Sequence, residues 1–267
     1  MKLFYYAAWL AVLIAGALWL NKHPYFRIAS IDIVPTEGQA ALQYANKEKL
    51  FERVRPGLTG SFFSVDVGRA QSIVQSDPWV ADAKAERVPP HTIRIRVSEH
   101  KPFARWLRDN EHAGLVDDKG RIFQAAYDAE LPEFDGESRD MPLMIENYRA
   151  FSTKLQPLRL KILRLQYSPR SAWTLMLDNG VEVRLGRENI HHRIGRFAEY
   201  WSGHLAAHAH ALDYVDMRYK DGFAVGYRSK SERPALPKDD DAEAPDTAAA
   251  ESAAPKNNNN KAKTRRR

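Results

Sequence analysis

Leu3–Leu20 (LFYYAAWLAVLIAGALWL) holds no charge, Pro, Asn or Gln, and the 267-residue chain has no second run of this kind. As a helix, such a stretch rises about 27 Å, against roughly 30 Å of hydrocarbon in a bilayer. Phe4, Tyr5 and Tyr6 lie near one end and Trp19 and Tyr25 near the other, where amphipathic rings favour the membrane interface. A cleaved signal peptide would have a shorter apolar region ending in small residues, whereas Ala15-Gly16-Ala17 leads into Leu18-Trp19-Leu20. The reading is one uncleaved transmembrane helix over residues 3–20, with residues 1–2 as a very short end beyond it. Leu3, Leu10, Leu13, Ile14, Leu18, Trp19 and Leu20 would contact the lipid bilayer. Lys2 opposes Lys22 and Arg27, so counting positive charges assigns no orientation.

Apolar residues make up 44% of the chain and charged residues 28%, enough for a buried core and too apolar for wholesale disorder. The absence of cysteine removes disulfide frameworks, cysteine-rich zinc sites and thiol catalysis. Forty basic against thirty-four acidic residues leave +6, of which residues 231–267 hold only +1. The charges are interspersed, so nothing points to a nucleic-acid partner.

Phe26–Val34 reads as a strand ended by Pro35. Asn46 is an N-cap for a helix carrying Leu50, Phe51 and Val54 and stopped by Pro56-Gly57. Asp66 caps a second helix, Val67–Gln75. Trp79–Arg87 and His91–His100 alternate apolar and polar residues as half-buried strands do, Ile93, Ile95 and Val97 pointing inward. The order is β-α-α-β-β. Further on, Pro102–Leu107, Gly114–Val116 and Arg121–Phe123 read as strands, and Ala125–Met141 as a surface loop. Glu146–Gln156 reads as a helix, then Lys161–Tyr167 and Trp173–Leu177 as strands. Asp178-Asn179-Gly180 turns the chain into Val181–Leu185 as a hairpin. An amphipathic helix, Glu188–Ser202, precedes a last hairpin of Leu212–Arg218 and Phe223–Tyr227. Residues 231–267, rich in Ala, Pro, Asp, Glu and Asn, carry too little apolar surface to offset ordering entropy and read as a disordered tail.

Chemistry finds little footing. His204 and His208 share helical spacing in HLAAHAH, but Leu205 stands where HExxH has its general base, so solvated imidazoles at a helix end are expected. Neither a G-x-S-x-G elbow nor a phosphate-cradling glycine motif occurs. The expectation is a protein without catalytic residues, cofactor or metal. The last hairpin remains. Phe223–Tyr227 would be an edge strand whose free N–H and C=O groups can accept a partner's strand.

These parts, in this order, resemble the FtsQ/DivIB family of bacterial cell-division proteins. The resemblance rests on Gly60-Ser61-Phe62-Phe63, Pro78-Trp79-Val80, Val97–Trp106 (VSEHKPFARW), Leu185-Gly186-Arg187 and Tyr214–Gly226 (YVDMRYKDGFAVG). It implies an α+β fold: a single N-terminal transmembrane helix, a POTRA domain at 25–99, and a β-rich domain at 100–230 with an open C-terminal edge strand. It also implies a non-enzymatic scaffold in the cell inner membrane, with a cytoplasmic N-terminus and a periplasmic body. Such a scaffold binds FtsB and FtsL and helps recruit and regulate septal peptidoglycan synthesis, FtsB adding a strand to the last strand. The partner-binding residues implied are Arg187, Arg218, Tyr219, Asp221, Gly222 and Phe223, with Val225, Gly226 and Tyr227 along the strand. Phe223 departs from the small residue the family often has there. The alternatives are a POTRA-bearing assembly factor for exported proteins and a membrane-anchored periplasmic hydrolase using the histidine cluster.

Overall fold

The structure, a computed structural model, describes residues 2–36, 38, 41–58, 61–108, 111–220 and 222–229; the expected tail lies outside the described residues. It opens with α1 (Lys2–Lys22) and a 3-10 turn, Pro24–Phe26. Leu10, Leu13, Ile14 and Trp19 are exposed along α1, while the side chains of Leu3, Leu18 and Leu20 are outside the description. Among the described residues no helix is long and apolar enough to cross a membrane.

The first body module runs β1 (Ser30–Pro35), α2 (Lys47–Val54), α3 (Val67–Gln75), β2 (Val80–Val88) and β3 (Thr92–Glu99). Its three-stranded sheet has the order β1-β3-β2, with β1 parallel and β2 antiparallel to β3. Both expected N-caps form: the Asn46 side chain accepts from Lys49 N–H and that of Asp66 from Arg69 N–H. Ile93, Ile95 and Val97 are fully buried against Leu50, Val54 and Val74 of the two helices. A register shift between Val80 and Asp82 turns Val80 inward, and beyond it the expected alternation of β2 holds, Ala81, Ala83 and Ala85 being less exposed than Asp82 and Lys84.

The second module comprises β4 (Pro102–Arg108), β5 (Glu111–Asp117), β6 (Ile122–Phe123), β7 (Glu133–Asp135), α4 (Met141–Leu155), β8 (Ile162–Tyr167), β9 (Trp173–Leu177), β10 (Glu182–Gly186), α5 (Ile190–Tyr200), β11 (Leu212–Asp216) and β12 (Ala224–Tyr227). Nine strands form one sheet in the order β12-β11-β10-β9-β8-β7-β4-β5-β6, and α4 and α5 pack together against it. The whole is α+β.

The stretch expected to be a surface loop supplies a central strand. β7 runs parallel to both β4 and β8, and Phe134 is fully buried. Only one apolar residue marks it, because its neighbours Glu133 and Asp135 are met by Arg164 and Gln166 of β8. The α4 helix also begins earlier than expected. Pro142 stands in its first turn, where a missing N–H leaves no helical bond unmade, and Met141, Met144 and Ile145 face the core.

The modules meet at a buried carboxylate. Asp117 accepts hydrogen bonds from the backbone N–H of Lys119 and Arg121 and from the Arg121 guanidinium, and pairs with His100 Nδ1 at 2.8 Å. Arg121 also donates to the Ala81 carbonyl of the first module, and Trp79 stacks on Tyr44 and edges onto Phe123. Burial pushes the Asp117 carboxyl upward, but the donors from Arg121, His100 and Lys119 together outweigh it and hold the group below its ordinary value.

Two outcomes follow for stability. Phe134→Ala empties the centre of the sheet and lowers the unfolding free energy by about 3–5 kcal/mol, read from a urea titration. A carboxyl depressed in the folded state stabilises the fold above its unfolded value of about 3.9, and that contribution is lost as pH falls through the folded value. Asp117→Asn therefore lowers the melting temperature near neutrality and flattens its acid limb; an unchanged acid limb would show that Asp117 does not govern it.

Candidate functional site

A strand can be added only at a sheet edge whose backbone groups are not already engaged. Of the four sheet edges, β1 has six residues and pairs with β3 alone among the described residues, and β6 has two. β2 is longer, but α3 reaches over it: Gln75 donates to the Ala83 carbonyl and Gln71 accepts from Ala85 N–H. β12 is different. It pairs antiparallel with β11 through Tyr214↔Gly226, Val215↔Val225 and Asp216↔Ala224, and is the terminal strand of the nine. Every residue of Ala224–Tyr227 is half-buried, as expected of a strand with one neighbour. The expected edge strand is therefore found, starting one residue after Phe223.

Its approach to β11 depends on a glycine. A Cβ at Gly226 would run into the Tyr214 ring, which covers the glycine across the strand pair. Arg184 of β10 lies over the same ring, its guanidinium 4.0 Å from the centroid. At the far end, Arg228 ties the strand down through the carbonyls of Leu212 and Asn179.

The turn between β11 and β12 is held by α5. Arg196 donates to the carbonyls of Lys220 and Gly222 at 2.8 and 2.9 Å, and Arg193 donates to those of Leu185 and Arg218. The Tyr200 ring packs against Phe223, with centroids 4.6 Å apart. Neither arginine was singled out by the sequence for a role in the turn. Helical spacing at 193, 196 and 200 was the available signal, but what the helix faces was not.

Asp216 alternates with apolar Val215 and Met217 and would be expected outside, yet it is 4% exposed. Arg218 grips it with both Nε and Nη2, the latter at 2.6 Å, and Arg218 N–H donates to the same carboxylate. Burial raises the Asp216 carboxyl, but the hydrogen bonds and charge of Arg218 and the charge of Arg184 outweigh it, holding the group below the ordinary carboxylate value. Arg218 thus supports the hairpin as well as facing outward, so its replacement by Glu would disturb the fold.

Of the residues expected at the site, Arg187 and Arg218 line one cleft of about 440 Å³ with Arg170, Arg193 and Glu188. Tyr219, Gly222 and Phe223 line a second, more open hollow of about 500 Å³ with Ala224. Tyr219 is 58% exposed. Val225, Gly226 and Tyr227 lie on the strand itself, and Asp221 is outside the described residues. His204 and His208 fall in a π turn and the 3-10 turn after it, and no group of three or more His, Asp or Glu among the described residues is placed to hold a metal.

Residues 104–218 match the family model described as Cell division protein FtsQ/DivIB, C-terminal, and residues 41–100 match POTRA domain, FtsQ-type. The cell division protein FtsQ of Neisseria meningitidis serogroup B is 36% identical over 228 residues, covering 83% of this chain and 93% of its own length. That of Burkholderia pseudomallei is 34% identical over 228 residues, covering 82% and 88%. The extracytoplasmic domain of DivIB from Geobacillus stearothermophilus aligns with 42% of this chain at 16% identity and a TM-score of 0.24, too slight a likeness to bear on the fold. The sequence matches place the chain among the non-enzymatic components of the bacterial divisome. It belongs to the FtsQ/DivIB family of cell division proteins, with a POTRA domain of the FtsQ type.

Gly226→Ala is expected to push β12 off the Tyr214 ring and to lower stability by about 1–3 kcal/mol. Amide hydrogen exchange over residues 224–227 should quicken more than over β9; equal protection in the variant and the natural chain would overturn the close-packing account.

Proposed function

We propose that this chain is an inner-membrane divisome scaffold that holds FtsB by β-strand addition to β12, together with FtsL, and so helps recruit and regulate septal peptidoglycan synthesis. The observation that carries the reading is the position of β12: the last strand of a nine-stranded sheet, paired on one side and engaged on the other by nothing among the described residues. Backbone pairing along Ala224–Tyr227 supplies affinity. Arg187, in the basic cleft beside the hairpin, supplies orientation by meeting a partner carboxylate. Tyr219, exposed next to the turn, is the aromatic anchor, and the Phe223 ring fixes the shape of the hollow it borders.

The same reading places α1 across the inner membrane, with its N-terminus in the cytoplasm and the body in the periplasm. Support for the span comes from the uncharged run Leu3–Leu20 and the exposure of the described apolar side chains along α1. Residues 25–99 would then be the POTRA domain and 100–230 the partner-binding domain.

Tyr219→Ala should weaken binding of an FtsB-like peptide by about 2 kcal/mol, roughly thirtyfold, with the unfolding midpoint unchanged. Arg187→Glu should act in the same direction, without the loss of support that Arg218→Glu would bring to buried Asp216. Calorimetric titration of the full chain in detergent measures both, and natural affinity in the two variants would remove the turn from the binding site.

A further inference from the structure

The residues that follow α1 are bound to a distant loop of the first module. Phe62 N–H donates to the Phe26 carbonyl at 2.6 Å, and Arg27 and Ser61 form an antiparallel bridge. Arg87 holds the loop from the other side, donating to the carbonyls of Phe62 and Val65 at 3.0 and 2.7 Å. This arrangement brings Phe63 onto Phe26, with ring centroids 5.0 Å apart, and Phe26 onto Tyr25 at 5.2 Å. The inner ring, Phe62, is buried, but Phe63 is 48% and Tyr25 60% exposed. Folding could have hidden a phenylalanine at this loop tip; instead it fixes the loop backbone and leaves the ring outside. Arg27 and Arg87 are both exposed beside it, and the nearby Asp66 is occupied in capping α3.

We infer that Tyr25, Phe26 and Phe63, flanked by Arg27 and Arg87, form a foot that rests in the headgroup layer of an anionic bilayer and sets the tilt of the first module. The occupant is lipid on two grounds. The foot begins three residues after the end of α1, so a membrane containing that helix passes directly beneath it. Half-exposed rings bordered by guanidinium groups also match the interface, where aromatic rings sit at headgroup depth and cations meet lipid phosphates. The inference rests on α1 spanning the bilayer.

The natural absence of cysteine allows one nitroxide at a time on the full chain in nanodiscs containing phosphatidylglycerol. Labels at Leu13→Cys, Ser64→Cys and Leu163→Cys report their relative collisions with oxygen and with a water-soluble nickel chelate. Expected are a lipid value at 13, an interfacial value at 64 and an aqueous value at 163, with Phe63→Asp returning position 64 to the aqueous value. Arg27→Gln should lower the ratio of immersed to free label at 64 about fivefold in anionic nanodiscs and leave it unchanged in zwitterionic ones. A lipid value at 13 with an aqueous value at 64 overturns the foot and leaves the anchor standing. An aqueous value at 13 overturns the anchor and the foot with it.

Discussion

A carboxylate withdrawn from water has to be met by donors, and three of them do so at the places where this chain changes direction. Glu99, at the end of β3, accepts the N–H groups of Gln43, Tyr44 and Ala45 and so fixes the segment leading into α2. Asp117 gathers His100 and Arg121 where the first module meets the second. Asp216 takes the guanidinium of Arg218 at the root of the last hairpin. Each is at most 6% exposed; Asp216 is satisfied by a residue two positions on and Asp117 largely by its own turn, whereas Glu99 takes backbone groups 54 to 56 positions earlier. A buried charge tolerates few alternative geometries, so these joints confer definition on elements that apolar contact alone would leave free to slide.

The open edge is a consequence of that definition. A terminal strand of four residues, half-buried on both faces, has little apolar area with which to hold itself in place. What holds it is polar and specific: two arginines of α5 on the turn carbonyls, Arg228 on the far end, and the Tyr214 ring over Gly226. An edge braced from within one sheet can present its outer side in a fixed register. β2, whose backbone is taken up by Gln71 and Gln75, illustrates the opposite treatment of an edge in the same chain.

Local chemistry was the legible part of the sequence. The caps at Asn46 and Asp66, the alternation of Ile93, Ile95 and Val97, and the Asn179-Gly180 turn all act over three or four residues, and each is found as expected. Beyond that range the reading failed where polar residues found distant partners. Glu133 and Asp135 hid β7 because Arg164 and Gln166, some thirty positions later, pair with them, the first as an ion pair and the second by a hydrogen bond. Asp216 is buried although it alternates with Val215 and Met217, because Arg218 folds back over its carboxylate and the charge of Arg184 lies beside it.

The sequence by itself determined that this chain pairs one uncharged apolar helix with an α+β body, since hydrophobic period, capping and turn chemistry are properties of a few consecutive residues. Tertiary structure alone decided that β7 is central and that α5 braces the last turn. Strand order depends on pairings between residues far apart in the chain, which no local pattern of side chains encodes.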